Sequence, residues 1–316
     1  MQTPTAIDAS ALSNAAYTDA DFRSRTMKKI QRILFALMLL VANSAITDIA
    51  ARADTLPGAT RESSQQQLYR EANETNDPDA MYLTGLMFER GEGVPQDYHE
   101  AFRWYVLAAG AGQPGAMNSL GLMYALGHGV SQDHSEAMKW WTKAAESGSI
   151  AALTNIATTY YTGLGVEQSY PEAAKWFQLA ADKGDANAMN TLGVMYAQGL
   201  GIARNRSNAI KLFGQSAYLG CSSAMVNLGT LYAGGRGVKR DNRLSYAWLI
   251  TALAFGVPTE VHDATVYQLG MIAARLGPSQ LARAEGYARK IAVTIVSAQA
   301  RTPDRKSDQA RVGSMI

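Results

Sequence analysis

The chain has 316 residues, of which 47% are apolar and 18% are charged, so it holds enough apolar material for a sizeable core and most of it cannot be disordered. The formal net charge is +2, and from Asp54 onward 23 Lys and Arg balance 23 Asp and Glu. A balanced chain without a basic run lacks the charge pattern of a nucleic-acid-binding protein. Its single cysteine, Cys221, cannot form an intramolecular disulfide, which excludes a disulfide-stapled scaffold.

The first predicted element is a signal peptide over residues 27–53. Basic residues between 27 and 32 precede the apolar run 33–42, and residues 51–53 offer an Ala-Arg-Ala cleavage pattern. The run is half the ~20 residues that a transmembrane helix needs, so we expect a periplasmic or secreted protein without a permanent membrane anchor. A short buried helix is the alternative interpretation. Because the signal begins at Met27, residues 1–26 are interpreted as a disordered extension or a mis-assigned start.

A capping helix and linker are predicted over residues 54–78. Leu68, Tyr69 and Ala72 lie 36 residues before an equivalent set in the repeats that follow. Such a helix would have no first-helix partner of its own. We therefore expect it to close the front of the repeat stack.

A gapless repeat of 36 residues comes next and begins its first helix at an alanine: Ala80, Ala116, Ala152, Ala188 and Ala224. Counting that alanine as position 1, apolar residues at positions 2, 5, 8 and 9 form one stripe of a helix. Position 6 is glycine in four copies and alanine in the third, as Ala157. Glycine costs a helix about 1 kcal/mol relative to alanine, so the sequence predicts close approach of a neighbouring helix backbone there.

A Gly-x-Gly-Val break ends each first helix, and a second helix rich in aromatic residues follows. The two glycines supply the positive φ of a left-handed C-cap. The rings of Trp104, Trp140, Trp141 and Trp176 recur with the repeat, so we interpret them as core that fills gaps between hairpins rather than as a stacking site for sugars or bases. A single hairpin cannot bury its apolar face alone, which makes stacking obligatory.

The end of the chain departs from the repeat. The second helix of the fifth copy differs from the others and is expected to turn toward a cap. Residues 258–299 are predicted to form C-terminal capping helices with a break at Gly277 and Pro278. Residues 300–316 are too polar to pack and are predicted to be disordered.

The pattern A-x-x-x-L-G-x-x-Y-x-x-G-x-G-V-x-x-D-x-x-x-A-x-x-W-x-x-x-A-A resembles the Sel-one-like repeat family, relatives of the tetratricopeptide repeats. The resemblance implies an all-α fold, a right-handed α/α superhelical solenoid of five helix-turn-helix repeats with helical caps. It also implies a non-catalytic adaptor, as similar bacterial proteins act in signalling, exopolysaccharide regulation, envelope assembly or host contact. The predicted repeats are 79–114, 115–150, 151–186, 187–222 and 223–257.

The resemblance also implies a binding surface. By analogy with tetratricopeptide repeats, positions 3, 7, 10 and 11 of each first helix line a concave groove, and we call this surface the groove face. It is mainly small, polar and neutral, which suits a peptide or protein segment held by Asn and Thr hydrogen bonds, with Tyr161 as an aromatic anchor. An ordinary solvated helix face is the alternative. The predicted partner-binding residues are Tyr82, Leu86, Asn118, Leu122, Thr154, Thr158, Tyr161, Asn190, Val194, Gln198 and Thr230.

No catalytic residue, cofactor or metal site is predicted. The four histidines lie in or beside loops and show no paired ligand spacing, and no base stands near Cys221 in the sequence. Two other functions stay open: a secreted factor that meets host proteins, and a cell-wall or β-lactam-acting enzyme. The resemblance disfavours the enzyme, because family members linked to β-lactams carry paired cysteines in every repeat.

Overall fold

Helices form all the regular structure of the described part of the chain. The computed structural model describes residues 69–300 except 71 and 73. The predicted signal over 27–53 and residues 301–316 lie outside the described residues. The helices are α1 Pro78–Arg90, α2 Tyr98–Gly110, α3 Pro114–Leu126, α4 His134–Glu146, α5 Ile150–Thr162, α6 Tyr170–Asp182, α7 Ala186–Gln198, α8 Arg206–Tyr218, α9 Ser222–Gly234, α10 Asn242–Ala254, α11 Thr259–Ala273 and α12 Pro278–Ala300.

The first ten helices form five pairs, each with a first helix (helix A) and a second helix (helix B). Each helix packs mainly against the one before it and the one after it in the chain, from α1 to α10. This packing between chain neighbours is the hallmark of a solenoid. It confirms the predicted all-α stack of five helix-turn-helix repeats.

Side-chain caps and glycines set the helix boundaries. A side-chain oxygen accepts a hydrogen bond from a backbone N–H at the start of nine of these ten helices, and Cys221 before α9 forms no such bond. Such caps satisfy donors that the first turn leaves unpaired. Every helix A ends at a glycine in the left-handed conformation, as with Gly127 at φ 73°.

The second glycine of each break has a packing role besides its backbone conformation. Gly129 has φ 70°, and a Cβ there would lie 2.4 Å from the carbonyl oxygen of Tyr98, at the start of helix B of the preceding repeat. A Cβ on Gly201 would lie 2.3 Å from the carbonyl carbon of Tyr170. The loop of one repeat therefore packs directly on the helix-B start of the repeat before it, which fixes the spacing between hairpins.

The glycine at position 6 accommodates a helix-B side chain rather than the predicted helix backbone. In the fifth repeat the backbone also comes near, since a Cβ on Gly229 would lie 3.3 Å from the carbonyl oxygen of Ser245. A Cβ on Gly121 would lie 2.3 Å from the indole Nε1 of Trp141, and one on Gly193 would lie 2.8 Å from the ring of Phe213. In both repeats the ring comes from helix B of the same pair. In the third repeat, Ala157 is fully buried in the same apolar cluster as Phe177.

The tryptophans divide between core and cluster edge. Trp104 and Trp141 are buried, at 7% and 5% exposure. Trp140 and Trp176 are only partly buried and pack at the margins of the apolar clusters. They occupy the same repeat position as Trp104, which is more buried because the Tyr69 ring contacts it at the front of the stack. The ammonium of Lys143 lies 4.6 Å from the ring centroid of Trp140, a cation–π contact.

Both ends of the described stack are covered. At the front, the Tyr69 ring contacts the Phe88 and Trp104 rings edge-on, with centroids 6.4 and 5.7 Å apart, and Ala72 is buried. At the back, α11 and α12 pack on α10, whose last ten residues are all buried. None of the helices within the described residues is long and apolar enough to span a membrane.

The glycine–ring contact predicts opposite effects for two Gly→Ala substitutions. Gly121→Ala gains helix propensity but collides with the rigid, buried indole of Trp141. We expect a net loss of about 2 kcal/mol in the free energy of unfolding, measured by urea denaturation. The matched control is Gly214→Ala in α8, where a Cβ meets nothing within 4 Å; it should stabilise the protein by up to about 1 kcal/mol. Equal effects of the two substitutions would contradict the role given to the ring.

Candidate interaction surface

The groove face differs strongly from repeat to repeat. In the second repeat it is apolar and open: Leu122 is 37% exposed and Leu126, one helical turn later, is 59% exposed. In the first repeat Leu86, at the position of Leu122, is buried at 8% exposure in the apolar cluster that contains Ala72 and Trp104. The prediction that Leu86 lines an accessible groove is therefore wrong, because its side chain packs in the core at the front of the stack.

The predicted groove asparagines link adjacent repeats. The side-chain amide of Asn155 donates to Oδ1 of Asn118 at 2.9 Å, and that of Asn227 donates to Oδ1 of Asn190 at 2.8 Å. Both bonds are partly buried. The side-chain oxygens of Asn118 and Asn190 each already accept one hydrogen bond, and these side chains still offer their N–H donors.

The predicted groove threonines use their hydroxyl protons within their own helix. Thr158 donates to the carbonyl of Thr154 at 2.8 Å, and Thr154 donates to the carbonyl of Ile150 at 3.5 Å. Their oxygens remain available as acceptors. Thr230 differs, because its hydroxyl donates to Oε1 of Gln268 in α11 at 3.2 Å. The C-terminal cap therefore contacts the groove face of the fifth repeat.

The aromatic residues of the groove face pack against helix B of their own repeat. Tyr161 lies edge-on to Tyr170 and Phe177, with ring centroids 5.3 and 6.2 Å apart. Burial, together with the neighbouring Tyr170, raises the pKa of Tyr161. Tyr82 similarly lies beside Tyr105, with centroids 5.8 Å apart. These rings are partly buried, so each presents only part of its surface to a partner.

The residue at position 10 lies over the helix-B ring in the first and third repeats. In the first repeat it is Glu89, whose carboxylate accepts a hydrogen bond from the Tyr105 hydroxyl. Burial, followed by the neighbouring Glu89 carboxylate, raises the pKa of Tyr105 far above its ordinary value. In the third repeat the residue is Tyr161 over Phe177. Position 10 is Ala197 in the fourth repeat, yet Phe213 there is 3% exposed, as is Phe177.

A cavity of about 520 Å³ opens between the fourth and fifth repeats. It brings together three predicted residues, Val194, Gln198 and Thr230, with Asn227 and the ring of Phe213. Position 10 of the fourth repeat is Ala197, which also lines the cavity. Arg204, Arg206 and Arg236 complete the lining, and we call this site the arginine cavity.

Sequence reasoning described the groove as neutral and missed these arginines. Two of them lie in loops and one lies at the start of helix B, outside the helix-A positions taken to line the groove. A signal was present at the loop position that holds Gln96, Gln132 and Gln168 in the first three repeats, because the fourth and fifth repeats have Arg204 and Arg240 there.

Residues suited to catalysis or metal binding are dispersed in the described structure. Within residues 74–300, no group of three His, Cys, Asp or Glu side chains could hold a metal ion. Cys221 lies at the start of α9, with its sulfur 3.6 Å from Oδ1 of Asn187. His128 lies against the ring of Tyr98, with centroids 4.6 Å apart.

Comparison with known proteins identifies the repeat. The model of the Sel1 repeat matches residues 78–113, 114–149, 150–185, 186–221 and 222–254. The chain belongs to the Sel1 repeat family. Each matched repeat begins one residue before the predicted start. Sel1 repeat proteins are generally protein-interaction scaffolds and generally non-catalytic.

Two solved Sel1 structures resemble this one. A Sel1 repeat protein from Oxalobacter formigenes is 33% identical with a TM-score of 0.60, over 72% of this chain and 99% of that one. A protective antigen present in uropathogenic Escherichia coli strains, displaying an SLR fold, is 29% identical with a TM-score of 0.65 over 76% of this chain. This Sel1 protein spans 50% of the length of that antigen. No curated protein sequence matches the chain.

The asparagine bonds between repeats predict a measurable energetic coupling. In a double-mutant cycle, Asn118→Ala and Asn155→Ala should be coupled by about 1 kcal/mol, because each single change removes the same hydrogen bond. Thr154 and Thr191 provide the control, since they occupy the same two positions one repeat later and each donates within its own helix. Their cycle should show coupling near zero. Urea denaturation measures both, and equal coupling in the two cycles would contradict the assignment.

Proposed function

We propose that this Sel1 protein is a non-catalytic adaptor of the bacterial cell envelope that binds a peptide or protein segment along its groove face. The observation that carries the proposal is the arginine cavity, where groove positions of two repeats line one open space of about 520 Å³. Exposed Leu122 and Leu126 on the same face support it, because apolar anchors and polar groups together hold extended or helical segments.

The hydrogen-bonding groups along this face favour a peptide as the bound molecule. Asn118 and Asn190 keep N–H donors after their carbonyl oxygens have bonded to the next repeat. Gln198 is exposed and offers both a donor and an acceptor. A peptide backbone carries donors and acceptors in regular alternation, so it can pair with such a row of amides.

The envelope location rests on the predicted signal peptide over residues 27–53. In this setting the protein would regulate signalling or the assembly of exopolysaccharide or other envelope components. The alternative is a secreted factor that contacts a host protein. The resemblance to a protective antigen of uropathogenic Escherichia coli strains supports this alternative.

Site-specific crosslinking tests the adaptor function. A photocrosslinking amino acid at Leu126, which is 59% exposed on the groove face, should capture one enriched protein in the native cell. Leu179 on helix B, at 48% exposure, is the matched control site, and the same protein should not be captured there. Leu122→Glu should abolish the capture by placing a charge among the apolar contacts, with an unchanged circular dichroism spectrum. Equal capture at both sites would exclude the groove face as the binding surface.

Export is tested with alkaline phosphatase fused after Ile316, since this enzyme is active only outside the reducing cytoplasm. We expect activity in the periplasmic or culture fraction, and its loss when the apolar run 33–42 is deleted. Activity in the medium would favour the secreted alternative, and activity in the periplasm would favour the envelope adaptor. An inactive cytoplasmic fusion would exclude both locations.

A further inference from the structure

We propose that the arginine cavity recognises an acidic side chain, Asp or Glu, in the protein segment that binds along the groove face. The inference rests on the proposed function and adds the chemical class of the partner. The cavity has three guanidinium groups, from Arg204, Arg206 and Arg236, and no acidic residue lines it. All three are exposed, and an anionic occupant would offset their mutual repulsion.

The three arginines are not neutralised by the protein. Arg206 and Arg236 form no hydrogen bond or ion pair within the part of the chain that the structure describes. Some basic side chains elsewhere pair with carboxylates nearby, as Arg103 does with Glu100 at 2.7 Å and Lys175 with Glu172 at 2.5 Å. The cavity therefore groups three cations that form no ion pair with a carboxylate of the described residues.

Arg204 combines a structural bond with a free charge. Its Nε donates to the carbonyl of Ala197 at 3.0 Å. In the first three repeats a glutamine amide makes the same bond, as Gln168 does to the carbonyl of Tyr161 at 2.8 Å. The loop thus needs only one N–H donor at this position. Arginine supplies that donor and leaves its terminal N–H groups free, so the charge is additional to what the fold requires.

The cavity has an apolar wall beside the arginines. Ala197 and Phe213 line this wall, although Phe213 is only 3% exposed. Val194 and Leu231 add further apolar surface. A carboxylate can therefore bond to the guanidinium groups while its own methylene groups, or an adjacent apolar side chain, contact this wall.

A peptide carboxylate fits these features better than a nucleic-acid phosphate. The chain beyond Asp54 is electrically balanced, and a nucleic acid needs a basic track that follows many phosphates. The arginines are instead confined to one cavity, next to side-chain amides such as Asn227 that can pair with a peptide backbone.

The experiment uses the full chain and random peptides displayed on phage. Selected peptides are synthesised in pairs, one as selected and one with Asp and Glu changed to Asn and Gln. Dissociation constants are measured by fluorescence anisotropy against the wild type and against Leu122→Glu, Arg204→Gln, Arg236→Leu and Arg240→Gln. A single-stranded oligonucleotide serves as a competitor.

The chain itself supplies conservative substitutions and a matched control. Arg204→Gln restores the residue that makes the loop bond in three other repeats, and Arg236→Leu restores the residue type of Leu164 and Leu200 at the same position. Both changes therefore spare the fold. Arg240→Gln is the same change as Arg204→Gln at the equivalent loop position of the fifth repeat, where the side chain lines a different cavity.

We expect acidic residues to be enriched among the selected peptides. Arg204→Gln, Arg236→Leu and the amide forms of the peptides should each weaken binding about tenfold, because each removes a charge-assisted contact. Arg240→Gln should change the dissociation constant by less than about twofold, and high salt should weaken binding by the acidic peptides.

Three results would overturn the inference, and they separate it from the proposed function. Peptides that need an intact Leu122 but bind equally well in amide form would disprove acidic recognition and leave the adaptor function standing. A failure to select any peptide whose binding depends on Leu122 would disprove both. An oligonucleotide that displaces the peptides, and whose own binding needs Arg204, would show that the cavity takes phosphate instead.

Discussion

Each repeat depends on one contact, in which a large helix-B side chain lies against a helix-A position that has no room for a larger residue. Gly121 with Trp141 and Gly193 with Phe213 show it most directly. The ring replaces the missing Cβ as the packing group, so the two helices interlock without a void. The propensity cost of a mid-helix glycine, about 1 kcal/mol, is offset by this burial. The contact also connects the core with the groove face, because position 10 follows position 6 by one helical turn and its side chain contacts the same ring in the first and third repeats.

In each repeat the fold constrains some positions and leaves others free to vary. The loop bond to the end of helix A needs one donor, and either glutamine or arginine provides it, as Gln168 and Arg204 do. Position 10 needs only a side chain that does not collide with helix B, so Glu89, Tyr161 and Ala197 all occur there. Charge and volume on the groove face can therefore change without a loss of packing. The arginine cavity lies where one repeat has both a charged residue in the loop, Arg204, and a small residue at position 10, Ala197.

The periodicity of the sequence predicted the fold because the signals for helix ends and helix packing lie within one repeat. The alanine and glycine spacing indicated helix pairs, their ends and their stacking, and these follow from local caps and an apolar stripe. The candidate site was harder, since its members depend on what lies next to each repeat. Leu86 is buried because it lies at the front of the stack, and Thr230 bonds to Gln268 of the cap. The arginine cavity joins loop and helix residues from two repeats, a grouping that no single helix face reveals.

The solenoid also gives the groove face a direction. The exposed apolar side chains Leu122 and Leu126 belong to the second repeat, whereas the arginine cavity lies between the fourth and fifth. Because successive repeats stack in chain order, these two chemistries cannot exchange places along the surface. A segment that contacts both sites must carry its apolar and acidic residues in one order and at one separation. The reversed order would place its apolar side chains against the arginines. The wrong order would therefore lose the charge-assisted contacts at the exposed arginines.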